Sequence, residues 1–382
     1  MRVLLLSAYA AGSHVHWREQ LAAMLPDWHF TVLELPPRHF NWRVRGNPLY
    51  WSLAERHLLE AEYKLVLATS MVDLATLRGL VPSLARLPSA LYFHENQFAY
   101  PVSSKQQGVL EAQMVSLYAA LAADRLLFNS GFNRDSFLEG VNSLMRRLPD
   151  RVPTGVAERL RNKAAVLPVP IDTVTPGGDG HAWFSGSGTY PERPLRLLWP
   201  GRFEYDKGGD RLLLLLEAVE KIGLDYQLAL VGQQFRQMPA VFNDIETRFR
   251  HRIVHSGYLP NRDDYRALLS QADIVVSTAL HEFQGLAVLE AVARGCLPLL
   301  PARQAYPELV TSAFLYPSCE QAPEQEAAGA VAALEALAER LANGSIEPPS
   351  VERFTTRTLA AHYREQLSGV CREPARGASG IA

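Results

Sequence analysis

Cysteine is scarce in this chain of 382 residues, where Cys296, Cys319 and Cys371 are the only three. An odd number without C-x-x-C spacing argues against a disulfide framework or a thiolate zinc site. A reducing compartment is the simplest setting, so a cytoplasmic location is expected. An excess of charge of either sign is also lacking. The formal net charge is −2, which gives no global attraction to nucleic acid. No apolar run approaches the roughly 18 residues of a membrane span, and no membrane partner is expected. The opening Met1-Arg-Val-Leu-Leu-Leu-Ser7 is too short for a signal peptide and reads as a first buried strand. Neither G-x-x-x-x-G-K-[ST] nor G-x-G-x-x-G occurs, so ATPase and ordinary dinucleotide readings lose support. No D-x-D and no clustered His/Asp set is present. No metal ligands are therefore nominated, and no cofactor beyond a co-substrate is expected.

What is present is a rhythm of short apolar runs separated by helical periodicity. Residues 3–7, 30–35, 65–69, 90–93, 125–129 and 165–168 read as strands of a first half. Residues 195–199, 227–231, 253–256, 274–277 and 297–300 read as strands of a second. Helices are expected at 16–25, after a loop at 10–14, and at 106–123. Strands alternating with helices predict an α/β chain with two Rossmann-like, doubly wound parallel-sheet domains. The length suits two domains better than one. Residues 174–194 are rich in Gly, Pro and Ser and are expected as a linker. This gives an N-terminal domain over 1–173, a C-terminal domain over 195–350 and a closing helical segment over 351–382.

Two stretches of the second half carry chemistry. In Ser277 to Gly295, Glu282 and Glu290 stand with seven residues between them. Gly285 lies where a loop is expected to become a helix. Unpaired amides at such a helix start, with the positive end of its dipole, suit a phosphate, and Gly285 allows close backbone approach. Phe283, Gln284, Leu286 and Ala287 complete this loop-to-helix unit. Glu290 can accept hydrogen bonds from a ribose, and Glu282 can reach a sugar on the far side of a diphosphate. The alternative is a solvated acid beside a capping acid. Upstream, Trp199-Pro-Gly-Arg-Phe-Glu-Tyr-Asp-Lys-Gly-Gly209 places Arg202 and Lys207 on a glycine-bounded loop after a strand. Arg binds phosphate in a bidentate manner and Lys supplies a compact charge; a solvated basic loop is the alternative. Gly232, closing the strand at 227–231, is placed with the donor-binding set.

These residues resemble the donor site of retaining glycosyltransferases of the two-Rossmann-domain, or GT-B, architecture over roughly residues 195–308. The resemblance implies that Arg202 and Lys207 hold the diphosphate of a nucleotide sugar. It implies that Glu282 contacts the transferred sugar and Glu290 the ribose. It also implies two domains facing a central cleft, with the last helix crossing back to the first domain.

Polar clusters of the first half fall at expected strand ends, where open α/β sheets bind ligands. Each alone could be capping chemistry. Together, Gly12-Ser-His14, Ala68-Thr-Ser-Met-Val-Asp-Leu74, Tyr92-Phe-His-Glu-Asn-Gln97 and Phe128-Asn-Ser-Gly-Phe-Asn133 are similar to the tRNA-queuosine α-mannosyltransferases. The one departure is Ala10-Ala11-Gly12-Ser13, where two adjacent glycines are expected. This resemblance implies transfer of mannose from GDP-mannose to the cyclopentenediol of queuosine at the wobble position of a tRNA, with tRNA-Asp as the expected acceptor. Gly12 and Ser13 then join the donor-binding set. His14, Ser70, Asp73, Glu95, Asn96 and Asn129 become acceptor-binding candidates. His94, Glu282, Arg202 and Lys207 form the catalytic set, with His94 contacting the sugar or the departing phosphate. Retention is expected through a front-face reaction in which the leaving diphosphate helps to deprotonate the acceptor hydroxyl.

The segment 36–45 reads as a loop suited to an RNA anticodon loop. Arg38, Arg43 and Arg45 are interleaved with Phe40 and Trp42, cations for phosphates and rings for splayed bases. A hydrophobic loop packed on its domain is the alternative. Residues 1–170 hold 18 Lys and Arg against 14 Asp and Glu, a mild positive bias that favours an anionic acceptor. The expected partners are a nucleotide sugar and queuosine-containing tRNA, with the chain a monomer or weak homo-oligomer. Other readings remain: a GT-B enzyme with another donor or a non-tRNA acceptor, a GT-B epimerase, or an inactive tRNA-binding protein.

Overall fold

The computed structural model describes residues 1–100, 109–172, 183, 188–234 and 238–372. The chain forms two compact units, Met1–Pro170 with Phe354–Ala382, and Ile171–Arg353. Most of the segment expected as a linker, and residues 373–382 of the closing segment, lie outside the described residues, as do the first three residues of the helix expected at 106–123.

Each unit is built on a six-stranded sheet. The first contains β1 (Arg2–Ser7), β2 (His29–Glu34), β3 (Leu65–Thr69), β4 (Ser89–Phe93), β5 (Arg125–Phe128) and β6 (Ala164–Val166), in the order β2-β1-β3-β4-β5-β6. The second contains β7 (Leu195–Pro200), β8 (Tyr226–Val231), β9 (Ile253–Gly257), β10 (Ile274–Val276), β11 (Leu297–Pro301) and β12 (Leu315–Tyr316), in the order β12-β11-β10-β7-β8-β9. The pairings are parallel throughout. This follows from the sequence: β3, β4, β8 and β11 are buried at every residue, as strands covered on both faces must be, and such strands read as unbroken apolar runs. The sheet order fixes where ligands can bind. Strand order reverses beside β1 in the first unit and beside β7 in the second, and open α/β sheets bind ligands beyond the carboxyl ends at that point. The segments after β1 and β3, and after β7 and β10, are therefore the places to look.

The first unit carries two corrections to the sequence reading. The helix expected from residue 16 starts at Gly12 and runs to Met24, so Gly12 and Ser13 belong to its first turn and not to a loop. The segment expected as an RNA-binding loop is largely the start of a helix, Phe40–Ala54, which contains Pro48. Proline cannot donate to the carbonyl four residues back. Asn47 compensates, its Nδ2 donating to Val44 O at 3.0 Å and to Arg43 O at 2.7 Å.

The C-terminal helix, Thr356–Arg372, buries Leu359, Tyr363, Leu367 and Val370, one stripe of an amphipathic helix. It packs on the helix Gly12–Met24. At its centre the Tyr363 hydroxyl accepts from Trp17 Nε1 at 2.9 Å and donates to Pro168 O at 2.9 Å. Trp17 stacks on Tyr92 with centroids 4.4 Å apart. Tyr363→Phe leaves a buried indole N–H without a partner. An unfolding experiment should show a loss of about 1–3 kcal/mol, and an unchanged midpoint would show that this hydroxyl does not anchor the helix.

Candidate active site

In the second unit the loops after β7 and β10 are in backbone contact, and a glycine makes this possible. A Cβ on Gly208, whose φ is +69°, would lie 2.0 Å from Thr278 O; the loop after β8 comes as close to the one after β7, where a Cβ on Gly232 would lie 1.8 Å from Gly201 O. The amides of Leu280 and His281 both donate to Asp206 O, at 2.8 and 3.0 Å. Thr278 Oγ1 donates to Lys207 O at 3.1 Å and accepts from Trp199 Nε1 at 3.0 Å.

On this floor the Lys207 ammonium meets Asp206 Oδ2, Glu282 Oε2 and His281 O, each at 3.1 Å. Burial works against its charge, but the Glu282 and Asp206 carboxylates outweigh burial and raise the Lys207 pKa above its usual value. Glu282 is the mirror case. Burial alone would raise its pKa, yet Lys207 and the Gly285 and Gln284 amides hold it below the usual carboxylate value. Its Oε1 accepts from the Phe283 and Gln284 amides at 3.1 and 3.3 Å. The two sides of the predicted donor site thus converge on one ion pair. Arg202 sits at its edge, half-exposed, 3.0 Å from Glu204 and 3.8 Å from Asp206. A small hollow beside the pair is lined by Trp199, Lys207, Ala279, Glu282, Gly285 and Ala287.

Gly285 caps the helix Leu286–Val292 with φ +78°. The Tyr306 ring and Leu309 crowd its Cβ position at 3.1 and 3.2 Å, so glycine is required on both counts. Phe283 and Gln284 are buried behind the loop, while Leu286 and Ala287 are half-buried at the helix start. Glu290 lies one turn on and accepts from Tyr265 Oη at 3.0 Å. Sequence reasoning missed Tyr265, and it also missed Gln304, which takes the Glu282 amide at 2.6 Å.

In the first unit His14 and His94 stack, with centroids 4.0 Å apart and rings 18° from parallel. His14 Nε2 lies 3.4 Å from Glu95 Oε2. Trp17 and Tyr92 enclose His94 at 5.1 and 4.8 Å. His94 Nε2 has no hydrogen-bond partner among the described residues. Burial first, then the His14 and His16 charges, push the His94 pKa well below 6.5, so its imidazole is neutral at pH 7. Gly12 and Ser13 are exposed nearby in sequence, and space around Gly12 is open.

The other acceptor-binding candidates have partners inside the fold. Asn96 Nδ2 donates to Asn133 and Ser136, and its Oδ1 accepts from the Phe98 and Ala99 amides. Asn129 donates to His94 O at 2.8 Å and accepts from Asn133. Asp73 caps the helix Leu74–Leu80 through the Thr76 amide and pairs with Arg45 at 2.7 Å. Arg45 also meets Glu111 at 3.0 Å. Ser70 Oγ donates to Glu95 O at 3.1 Å. Arg38 is exposed and Arg43 half-buried. Trp42 is 54% exposed, its ring lying across Gly46, where a Cβ would come within 2.5 Å.

His281 carries a second perturbed imidazole. Burial, then Lys207, bring its pKa down to about 4 against the pull of Glu282 and Asp206. A depressed imidazole pKa means that the unfolded chain takes up protons first. Stability should therefore fall as pH drops below 6.5 and keep falling toward 4. Urea midpoints at a series of pH values, with His281→Phe beside the wild type, test this: the variant should decline less, and an equal decline removes His281 as a cause.

A family model described as tRNA-queuosine alpha-mannosyltransferase N-terminal matches residues 2–171. A model described as Glycosyl transferases group 1 matches residues 185–343. The tRNA-queuosine alpha-mannosyltransferase of Drosophila melanogaster is 31% identical over 315 residues, which are 82% of this chain and 83% of that protein. A GDP-mannose:cellobiosyl-diphosphopolyprenol alpha-mannosyltransferase of Xanthomonas oryzae pv. oryzae is 28% identical over 136 residues, 35% of each chain. Among solved structures, a sucrose-phosphate synthase from Thermosynechococcus elongatus superposes with a TM-score of 0.66 at 17% identity, covering 97% of this chain and 100% of its own. Anabaena HepE in complex with UDP and glucose gives a TM-score of 0.62 at 15% identity, with the same coverage. At such identities the structures establish a shared GT-B fold.

Proposed function

This chain belongs to the tRNA-queuosine α-mannosyltransferase family, and from that premise we propose that it transfers mannose from GDP-mannose to the cyclopentenediol of queuosine in tRNA, with tRNA-Asp as the acceptor. The observation that carries the reading at the site is the Lys207–Glu282 pair, assembled where strand order reverses beside β7. Arg202 and Lys207 supply positive charge for a diphosphate, and charge already in place costs no reorganisation when the leaving group develops its own. Glu282, held ionised, accepts hydrogen bonds from the sugar. Glu290 keeps one carboxylate oxygen for the ribose while Tyr265 engages the other.

In this reaction the bond from the anomeric carbon to the diphosphate oxygen breaks. A bond to the acceptor oxygen forms on the same face, and the acceptor proton passes to the departing diphosphate. His94 offers a neutral ring nitrogen to a substrate hydroxyl. Exposed Trp42 is a stacking platform for an unpaired base. Gly12 and Ser13 remain assigned to the donor, and the enzyme is assigned to the cytoplasm.

Incubating the protein with queuosine-containing tRNA and a panel of nucleotide sugars, then weighing the released nucleosides, tests the whole reading. A hexose mass added to queuosine only with GDP-mannose is expected; no added mass with any sugar would end the proposal. Arg202→Ala should raise the donor KM roughly tenfold or more, the scale of one charge-assisted contact. Because Arg202 is half-exposed, the fold should survive, and an unchanged donor KM would remove it from the diphosphate site. Trp42→Ala should raise the half-saturating tRNA concentration about tenfold, the scale of one stacked base, with the donor KM unchanged. Equal tRNA affinity would take that helix off the binding surface.

A further inference from the structure

Gln304 follows β11 and holds its backbone at φ +53°. That left-handed conformation is uncommon for any residue with a Cβ. It persists only where the surroundings over-determine it, and such residues gather at working sites. Here the chain is pinned on both sides. Arg303, immediately before, is buried against Glu326, with Nη2 2.5 Å from Oε1. Glu326 in turn takes the Cys319 amide at 2.7 Å. Tyr306, two residues on, is buried with its hydroxyl 2.5 Å from Ser277 Oγ.

The strained backbone aims the Gln304 side chain at the loop after β10. Its Oε1 accepts the Glu282 amide at 2.6 Å, and its Nε2 donates to Leu280 O at 2.8 Å. One amide side chain thus grips the peptide groups on either side of His281. The carboxylate of Glu282 is fixed from one direction by Lys207 and the Phe283 and Gln284 amides. Its main chain is fixed from another by Gln304. A methyl side chain makes neither bond, and loss of both frees the loop that carries the carboxylate.

We propose that Gln304 is a positioning residue for sugar transfer, stapling the Leu280–Glu282 loop so that the Glu282 carboxylate stands where the transferred sugar needs it. This rests on the reading of Glu282 as the sugar-contacting acid. Geometry of this kind governs turnover more than ground-state binding, and a displacement near 1 Å can cost about a hundredfold in rate.

Gln304→Gly is the decisive variant, because glycine takes φ +53° without strain and removes only the staple. Its thermal midpoint should lie above that of Gln304→Ala, which loses the same two bonds and keeps the strain, so a loss of kcat common to both variants is not a folding defect. Hydrogen exchange in a peptide spanning Leu280 to Gln284 should quicken. In mannosyl transfer kcat should fall roughly tenfold or more, while the donor KM stays within about twofold. Gln304→Ala should show the same loss of kcat with a lower midpoint, since alanine keeps the strain. An active wild type beside a Gln304→Gly variant of equal kcat, or one altered only in KM, overturns the proposal alone. A wild type that moves no sugar overturns the functional reading and this inference with it.

Discussion

The candidate site depends on one ammonium group. Lys207 sits between two carboxylates that come from different loops, Asp206 after β7 and Glu282 after β10. Neither acid could be desolvated there alone, because a buried unpaired carboxylate costs several kcal/mol. The ammonium has three protons and three acceptors, the third being His281 O, so its charge is fully used. Backbone contact at Gly208 brings the loops within reach, and parallel pairing of β7 with β10 sets their register. The ion pair is thus a consequence of sheet order, and it keeps Glu282 ionised. A nucleotide diphosphate entering this field meets Arg202 at the edge and a lysine already shared with an acid. In the proposed reaction that sharing ties phosphate binding to the orientation of the acid that reads the sugar.

The first unit treats its polar strand ends differently. Asn96, Asn129 and Asn133 form a buried amide network in which each side chain has partners. Such a network rigidifies the segment after β4 when fully satisfied. What it supports is His94, whose carbonyl takes Asn129 Nδ2 and whose ring is clamped between His14, Trp17 and Tyr92. The histidine is held by its backbone and its ring faces, leaving Nε2 as the group with no partner among the described residues. The asparagines hold His94 in place through its carbonyl and the segment that carries it.

Much of this was legible in the sequence because parallel strands buried on both faces are short unbroken apolar runs. The strand expected at 65–69 is observed as Leu65–Thr69, and its neighbours differ by a residue or two. Glu282, Lys207 and their glycines were legible because chemistry and turn geometry coincide in a few adjacent positions. The helix Phe40–Ala54 was not, since Gly46 and Pro48 are helix breakers by composition and only Asn47 Nδ2 on Val44 O repairs the gap. Tyr265 and Gln304 were not legible for another reason. Each is an ordinary polar residue whose role exists only through a partner 25 or 22 positions away. Whether a strand-end asparagine caps a helix or bridges two segments has no signature in one chain, whereas its hydrogen bonds show it.

Counting charges misleads in the same way. The positive excess of residues 1–170 suggested a surface drawn to RNA, yet several of these cations are engaged within the protein. Arg45 bridges Asp73 and Glu111. Arg78 donates to Ser89 Oγ and to the carbonyls of Ala85, Leu87 and Ala122. Lys163 donates to Leu121 O and Ala123 O, and burial brings its pKa down to about 8. Arg18 meets Glu34, and Arg134 meets Asp135. A cation held against a carboxylate or a carbonyl contributes little to the release of counterions from a polyanion. In the proposed reading, cations engaged in this way leave exposed rings such as Trp42 a larger share of the contact with tRNA. That division of labour suits a substrate whose reacting base already stands unpaired in a loop.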